Sequence, residues 1–182
     1  KEKGRVTMSM TVLTPIGAGL ALLFAFYLSR KVMAESEGTA AMIKVASAIR
    51  QGANAYLKRQ YTGVAFFFVI LTVIICFMAF FGFVSWFVPF AFLSGGLFSG
   101  LAGFIGMKIA TYANARTACA AEKSLNRGLK VAFNSGAVMG FVVVGLGLLH
   151  ISIWFYLLNW YYQGDIAAIT ATMLTFGMGD SS

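Results

Sequence analysis

Charged and apolar residues are sharply segregated along the chain. No Asp, Glu, Lys or Arg occurs in residues 6–29, 60–107 or 131–164. A membrane-spanning helix needs about 20 consecutive apolar residues, so these stretches are long enough for one crossing, two crossings and one long crossing. They lack the alternating segments of about ten residues that are typical of a transmembrane barrel. The pattern therefore predicts an all-α, polytopic membrane protein.

Four complete spans and the start of a fifth follow from this pattern, with helical extensions on the cytoplasmic side. Their approximate limits are residues 10–28, 61–81, 90–110, 131–158 and 166–182. The first is long for the apolar part of a signal peptide and no A-x-A-like site follows it, so we expect it to be retained. The fifth is shorter than a full span, so we expect the natural chain to continue past Ser182. We expect residues 1–182 to form a single membrane domain.

The polar segment between the first two spans has a helical pattern of its own. Apolar residues recur at helical spacing at Met42, Val45, Ile49, Ala53 and Tyr56. This spacing predicts a helix that begins near Thr39 and continues into the second span. The apolar stripe is narrow and rich in Ala, which favours packing on protein over lying on lipid.

The third span continues into a thin helical stretch, "GFIGMKIATYANARTACAAEKS", at residues 103–124. Its side chains are mostly small, so they bury little surface by themselves. Small residues allow another backbone to come close. We therefore expect a partner to be packed against this stretch.

The positive charge of the chain lies mainly at the ends of the predicted spans. The sequence has 14 Lys and Arg against 6 Asp and Glu. Residues 30–60 hold six of the basic residues and residues 108–130 hold five, whereas residues 82–89 and 159–165 hold none. By the positive-inside rule, the two basic segments are cytoplasmic and the N-terminus is outside. No basic face with interleaved aromatic residues is present, so we do not expect nucleic-acid binding.

Five basic residues in these segments are candidates for a role beyond topology: Arg50, Lys58, Arg59, Lys108 and Arg116. We expect them mainly to set the orientation and to pair locally. The alternative is that they support a cytoplasmic site or steer an anionic substrate towards it.

Small residues form ridges on the third and fourth spans. They are Gly96, Gly100, Gly103, Gly136 and Gly140, which give two GxxxG motifs and a related small-residue ridge. In lipid, such ridges let helix backbones approach closely. We expect helix packing at these positions, and a substrate path along the glycines is the alternative.

Few residues could carry chemistry. His150 is the sole histidine, and near a span end it is expected to be a capped or snorkelling polar residue. Cys76 and Cys119 are far apart and have no metal-ligand spacing. We expect no catalytic residue and no metal ligand in this segment. Asp180 is the exception, because an acidic residue near membrane depth is a candidate for an ion pathway.

Three long blocks resemble one known family. They are "EGTAAMIKVASAIRQGANAYLKRQY", "SGLAGFIGMKIATYANARTACAA" and "GLKVAFNSGAVMGFVVVGLGLL". Together they look like the N-terminal part of the membrane-integral pyrophosphatases, which are ion-translocating pumps that hydrolyse pyrophosphate. The resemblance implies homodimers of sixteen-span subunits in the plasma membrane. An inner ring of six helices holds the site, and the first four spans belong to an outer ring around it.

The resemblance also implies what this segment does. In the family, Mg²⁺-dependent hydrolysis of pyrophosphate drives H⁺ or Na⁺ out of the cytoplasm, and the sequence leaves open which ion is moved and whether K⁺ is needed. The family's catalytic Asp-rich motifs and phosphate-binding residues come after the position of Ser182. Residues 1–182 alone are therefore expected to be inactive outer-ring support that packs on the remainder of the pump. The alternative is a small non-enzymatic membrane transporter or assembly subunit with four or five spans.

Overall fold

Four long α-helices make up nearly all of the described chain. The computed structural model describes residues 2–170, 172 and 173, with the side chains from residue 12 onward. The helices are α1 (Glu2–Met33), α2 (Ala40–Phe80), α3 (Phe87–Lys123) and α4 (Leu125–Tyr161). All four are long and apolar enough to cross a membrane, and the described residues contain no strand. The predicted class, a polytopic helical membrane protein, is confirmed.

The helices α2 and α3 extend beyond the apolar stretches, as the sequence predicts. The α2 helix begins one residue after Thr39, whose carbonyl accepts a hydrogen bond from the Ile43 N–H at 3.0 Å. The Thr39 hydroxyl also accepts one from the Met42 N–H at 3.4 Å, which caps the helix. From there α2 continues unbroken through the second predicted span. The predicted start near Thr39 is therefore confirmed.

The predicted fifth span is described only at its beginning. Asp165 caps a new helical segment, because its Oδ1 atom accepts hydrogen bonds from the N–H groups of Ala167 at 3.0 Å and Ala168 at 3.3 Å. Residues 166–170, 172 and 173 are helical. Asp180, the candidate for an ion pathway, lies outside the described residues.

A single non-helical residue, Ser124, connects α3 to α4. The Ser124 hydroxyl accepts a hydrogen bond from the Arg127 N–H at 3.2 Å and so caps α4. The corner is tight, since a Cβ atom placed on Gly128 would lie 2.7 Å from the Cβ of Ala121. A glycine is therefore required at this position.

Contacts divide the chain into two compact units, and every one of the four helices contributes to both. The apolar unit consists of Lys1–Ala18, Tyr61–Gly100 and Leu146–Ser182. The basic unit consists of Gly19–Gln60 and Leu101–Gly145. The basic unit contains eleven Lys and Arg residues and three Glu residues. Between residues 12 and 173, the apolar unit contains a single charged residue, Asp165.

Each unit has its own buried cluster of side chains. In the apolar unit, the cluster comprises Val88, Ala91, Trp154, Leu158 and Ile169. In the basic unit, it comprises Val32, Ala113, Ala120 and Val131. In the second cluster, the thin stretch of α3 packs on residues of α1 and α4. Its alanines pack between one valine of α1 and one of α4.

The first part of α2 buries a different face from the predicted one. Three of the five stripe residues are more than a third exposed, namely Val45, Ile49 and Tyr56. Ala46 and Leu57 are buried instead. Arg50 lies between them on the same face and forms an ion pair with Glu37. Within the described residues the stripe is thus mostly exposed and the face that contains Ala46, Arg50 and Leu57 is turned inward, so packing of the stripe on protein stays a prediction.

Candidate functional site

A cluster of three charged side chains lies in the basic unit. The two guanidinium nitrogens of Arg50 donate to both oxygens of the Glu37 carboxylate, with N–O distances of 2.7 and 3.2 Å. The Nη1 atom of Arg116 donates to the same Oε1 atom at 2.8 Å. Paired contacts of this kind between Arg and a carboxylate are strong and directional. One carboxylate therefore links the α1–α2 connection to both α2 and α3.

Local structure brings Glu37 to this position. The next residue, Gly38, has a φ of +91°, which a residue with a side chain rarely adopts. Its N–H donates to the hydroxyl of Ser36 at 3.1 Å. This tight turn ends the connection from α1 immediately before α2 begins. The Glu37 side chain is thus fixed by its backbone as well as by its arginine partners.

Tyr112 adds a second set of contacts to the cluster. The guanidinium carbon of Arg50 lies 4.8 Å from the centre of the Tyr112 ring, within the range of a cation–π interaction. The Nη1 atom of Arg116 also donates to the Tyr112 carbonyl at 2.6 Å. Two different parts of Tyr112, one turn before Arg116 on α3, therefore hold the two arginines.

Both arginines stabilise the ionised form of Glu37. The hydrogen bond from Arg50 lowers the pKa of Glu37 below its ordinary value of 4.5, burial acts in the opposite direction, and the charge of Arg116 lowers the pKa further. At neutral pH the cluster thus contains one negative and two positive charges. Its net charge is +1.

One donor of the cluster has no acceptor. Arg116 is only 8% exposed, and its Nε atom is buried without a hydrogen-bond partner among the residues that the structure describes. Buried polar groups without partners are uncommon in native proteins, and each calls for an explanation.

The other predicted basic residues lie outside this cluster. The Lys108 ammonium is 5.5 Å from the centre of the Phe104 ring. Lys58 and Arg59 are exposed on α2. Another ion pair, which the sequence analysis did not consider, joins Arg127 to Glu35 at 3.4 Å, and the Arg127 side chain is half exposed. The structure therefore brings together only Arg50 and Arg116 of the five predicted residues.

The predicted glycines differ in their surroundings. A Cβ atom on Gly96 would overlap the ring of Phe68, and one on Gly100 would lie 3.3 Å from the ring of Tyr61. The Tyr61 hydroxyl donates to the Gly100 carbonyl at 2.5 Å. Gly103 is exposed. On α4, a Cβ atom added to Gly136 or to Gly140 would have no atom of the described chain within 4 Å.

A neutral polar cluster lies in the apolar unit. The Ser94 hydroxyl donates to the Ala91 carbonyl at 3.0 Å and accepts a hydrogen bond from the indole N–H of Trp154 at 2.8 Å. The Nε2 atom of His150 is 2.9 Å from the same oxygen. The direction of the hydrogen bond between Ser94 and His150 depends on the tautomer of the imidazole ring. His150 is 3% exposed, so the expectation of a snorkelling residue is wrong.

Two central residues were missed by sequence reasoning, Glu37 and Ser94. The sequence contains a weak signal for each of them. Glu37 directly precedes a glycine between two helical patterns, and His150 and Trp154 are spaced one helical turn apart. Neither signal identifies the distant partner. Within the described residues, no group of three His, Cys, Asp or Glu side chains could hold a metal ion.

The long apolar helices, with their polar clusters and tight connections, define an integral membrane protein of the polytopic helical class. A family model described as inorganic H⁺ pyrophosphatase matches residues 19–182. The chain therefore belongs to this family of membrane-integral pyrophosphatases.

Relatives with curated names support the family at high identity. The chain is 55% identical, over 178 residues, to a K(+)-stimulated pyrophosphate-energized sodium pump of Bacteroides thetaiotaomicron, with 93% of this chain and 24% of the relative covered. It is 41% identical to the sodium pump of the same description from Clostridium tetani, over 96% of this chain and 24% of the relative. It is 40% identical to K(+)-insensitive pyrophosphate-energized proton pump 2 of Moorella thermoacetica, over 82% of this chain and 21% of the relative. The chain thus spans about a quarter of the length of these relatives.

Proposed function

We propose that this chain is the N-terminal, outer-ring part of a pyrophosphate-energised ion pump. The whole pump couples Mg²⁺-dependent hydrolysis of pyrophosphate to the export of a cation from the cytoplasm, as a homodimer in the plasma membrane. The observation that carries this proposal is the family match over residues 19–182. The names and the greater length of the relatives support it.

Within the pump, residues 1–182 are structural support, and the hydrolytic site lies in the remainder. A Mg²⁺–pyrophosphate complex requires several carboxylate oxygens converging on hard cations. The sequence has only 6 Asp and Glu residues. Two of them, Glu35 and Glu37, are already bound to arginines. We therefore expect residues 1–182 to have no hydrolytic activity by themselves.

The transported ion is Na⁺ and K⁺ stimulates the pump. The support for this choice is the identity of 55% with a relative that is named as a K(+)-stimulated sodium pump, against 40% with a relative named as a K(+)-insensitive proton pump. Asp180 is our candidate for a residue of the ion pathway. If Asp180→Ala leaves both hydrolysis and transport unchanged, that role is excluded.

The basic unit faces the cytoplasm in this proposal, and the N-terminus lies outside. The distribution of Lys and Arg supports this orientation. The exposed basic residues Lys58 and Arg59 then stand where they could steer pyrophosphate. If they do, replacing both with Gln lowers kcat/KM more at low salt than at high salt, because salt screens such attraction. An equal effect at both salt concentrations would exclude steering.

The test is made with the full-length pump in inverted membrane vesicles. On addition of pyrophosphate, we expect release of phosphate and uptake of Na⁺, both abolished when Mg²⁺ is omitted and both increased by K⁺. Acidification of the vesicles in place of Na⁺ uptake would overturn the choice of ion but not the pump. Absence of pyrophosphate hydrolysis would overturn the function itself.

A further inference from the structure

Arg116 has a binding capacity that the described chain does not use. Its Nη1 atom is satisfied by Glu37 and by the Tyr112 carbonyl, whereas its Nε atom is buried without a partner in the described residues. In a guanidinium group, the N–H groups point outwards in a rigid fork, which matches the two oxygens of a carboxylate. The edge that contains Nε is therefore a place where an acceptor fits.

The charge of the cluster indicates the chemistry of that acceptor. Glu37 is shared by two guanidinium groups, so the cluster of Glu37, Arg50 and Arg116 retains one positive charge. Buried charges in proteins are paired with opposite charges. A neutral acceptor would satisfy the hydrogen bond but would leave this charge uncompensated. A second carboxylate satisfies both requirements.

The basic unit contains no spare carboxylate for this purpose. Its three acidic residues are Glu35, Glu37 and Glu122. Glu35 is bound to Arg127, and Glu122 is exposed, whereas Arg116 on the same helix is buried. Eleven basic residues in the unit thus face three acidic ones. The relatives, in contrast, are about four times as long as this chain.

We propose that the Nε edge of Arg116 binds an Asp or Glu side chain from the part of the pump that follows residue 182. This inference rests on the proposed function, since it takes the chain to be one part of a longer polypeptide. Arg116 then joins two carboxylates, Glu37 on one edge and a carboxylate of the remainder on the other. It is a positioning residue that fixes this segment to the rest of the pump.

The direct test is an experimental structure of the full-length wild-type pump. We expect a carboxylate oxygen within about 3 Å of the Nε atom of Arg116, contributed by a residue beyond 182. A water molecule, a backbone carbonyl, a lipid phosphate or an acceptor from residues 1–182 at this place would overturn the proposal. This readout does not depend on hydrolysis, so it remains decisive even if the pump proves inactive on pyrophosphate.

A matched pair of variants tests the contribution of the Nε edge. In the full-length pump, Arg116→Lys keeps the positive charge and can still bind Glu37, but it removes the fork that reaches a second carboxylate. We expect its thermal inactivation to be roughly ten times faster than that of the wild type. Arg127→Lys, at an exposed ion pair, is the control and should behave as the wild type. Equal rates for all three proteins would contradict the proposal.

A charge exchange completes the test. Once the structure has identified the acidic partner, Arg116→Glu is combined with the replacement of that partner by Arg. The double variant should inactivate more slowly than Arg116→Glu alone, since the ion pair is restored in reverse. If the second substitution gives no recovery, the two residues do not form the proposed contact.

Discussion

The two units solve the same problem, a polar group inside a helical protein, in opposite ways. In the apolar unit, the cluster around Ser94 is neutral, and its hydroxyl makes three hydrogen-bond contacts, with Ala91, His150 and Trp154. In the basic unit, the cluster around Glu37 is ionic, has a net charge of +1 and leaves one buried donor of Arg116 without an acceptor among the described residues. Within the described residues, the Ser94 hydroxyl has partners for its donor and acceptor positions, whereas the Nε atom of Arg116 has none.

The difference teaches where charge can be placed in such a protein. A charge in apolar surroundings is costly unless it is paired, so a cluster among apolar residues is stable when it is neutral and saturated. An ionic cluster with excess charge is stabilised further by an additional counter-charge. Its incompleteness therefore indicates a contact with another part of the protein.

The largest effect is expected from removal of the shared carboxylate. Glu37→Ala leaves Arg50 partly buried without its counter-charge and removes one of the two carboxylates of Arg116, which should lower the free energy of unfolding by about 3 kcal/mol. The measurement is unfolding of the full-length protein in detergent. Glu35→Ala, which removes a more exposed ion pair, should cost below about 1 kcal/mol. Equal losses of stability for the two substitutions would show that the Glu37 cluster contributes no more than an exposed ion pair.

A smaller effect is expected from closing a tight contact in the apolar unit. Gly96→Ala places a methyl group against the Phe68 ring and should destabilise the protein by about 2 kcal/mol. The matched control is Gly140→Ala, where the described chain leaves open space. If the α4 ridge faces lipid, this control should be neutral or stabilising by up to about 1 kcal/mol. A clear destabilisation would instead show that the ridge packs against another part of the pump, as predicted from its sequence.

The cluster around Ser94 should contribute less to the free energy of unfolding than the ionic cluster around Glu37. Ser94→Ala removes the hydroxyl that contacts both Trp154 and His150 and should lower the free energy of unfolding by about 1 kcal/mol, in the range measured for hydrogen bonds between membrane helices. Ser152→Ala is the control, because the Ser152 hydroxyl donates only to the Leu148 carbonyl of its own helix. If the two substitutions cost the same, the cluster around Ser94 contributes nothing beyond an ordinary hydroxyl.

The smallest expected effect is a dependence of stability on pH that arises from the ionised Glu37 cluster. Since the pKa of Glu37 is lowered in the folded protein, its contribution to stability is complete above pH 4.5 and is lost as the pH falls through the lower, folded value. The difference in unfolding free energy between wild type and Glu37→Gln should therefore be constant near neutral pH and shrink in acid. A difference that is independent of pH down to the acid-unfolded state would contradict the ionic assignment.

Periodicity and charge segregation predicted the helices well, because these features are local. The start of α2 at Thr39 is one example, since the capping residue and the first apolar positions are neighbours in sequence. The inward face of α2 was not predictable in the same way. The apolar stripe at Val45 and Ile49 is a reasonable core face by pattern, but the ion pair of Arg50 with Glu37 selects another one.

The candidate site was harder to predict than the fold because its partners are distant in sequence. Arg116 was selected as a basic residue, yet nothing near it indicates Glu37, which is 79 residues away. The glycine motifs show the same limit. Gly96 and Gly136 occur in the same GxxxG pattern, but only the first faces an aromatic ring within the described chain. A motif specifies what can approach a helix, and the fold decides what does.

The position of Glu37 also sets an order of assembly during synthesis. Arg50 follows Glu37 by 13 residues and Arg116 follows it by 79. At a synthesis rate of about 5–20 residues per second, the second arginine is made several seconds after the first. Arg50 is therefore available to the carboxylate early in synthesis, whereas the contact with Arg116 requires that α2 and most of α3 have already been made. The contact of Glu37 with Arg116 thus depends on the α2–α3 hairpin, whereas its contact with Arg50 depends only on the turn before α2 and on the first part of α2.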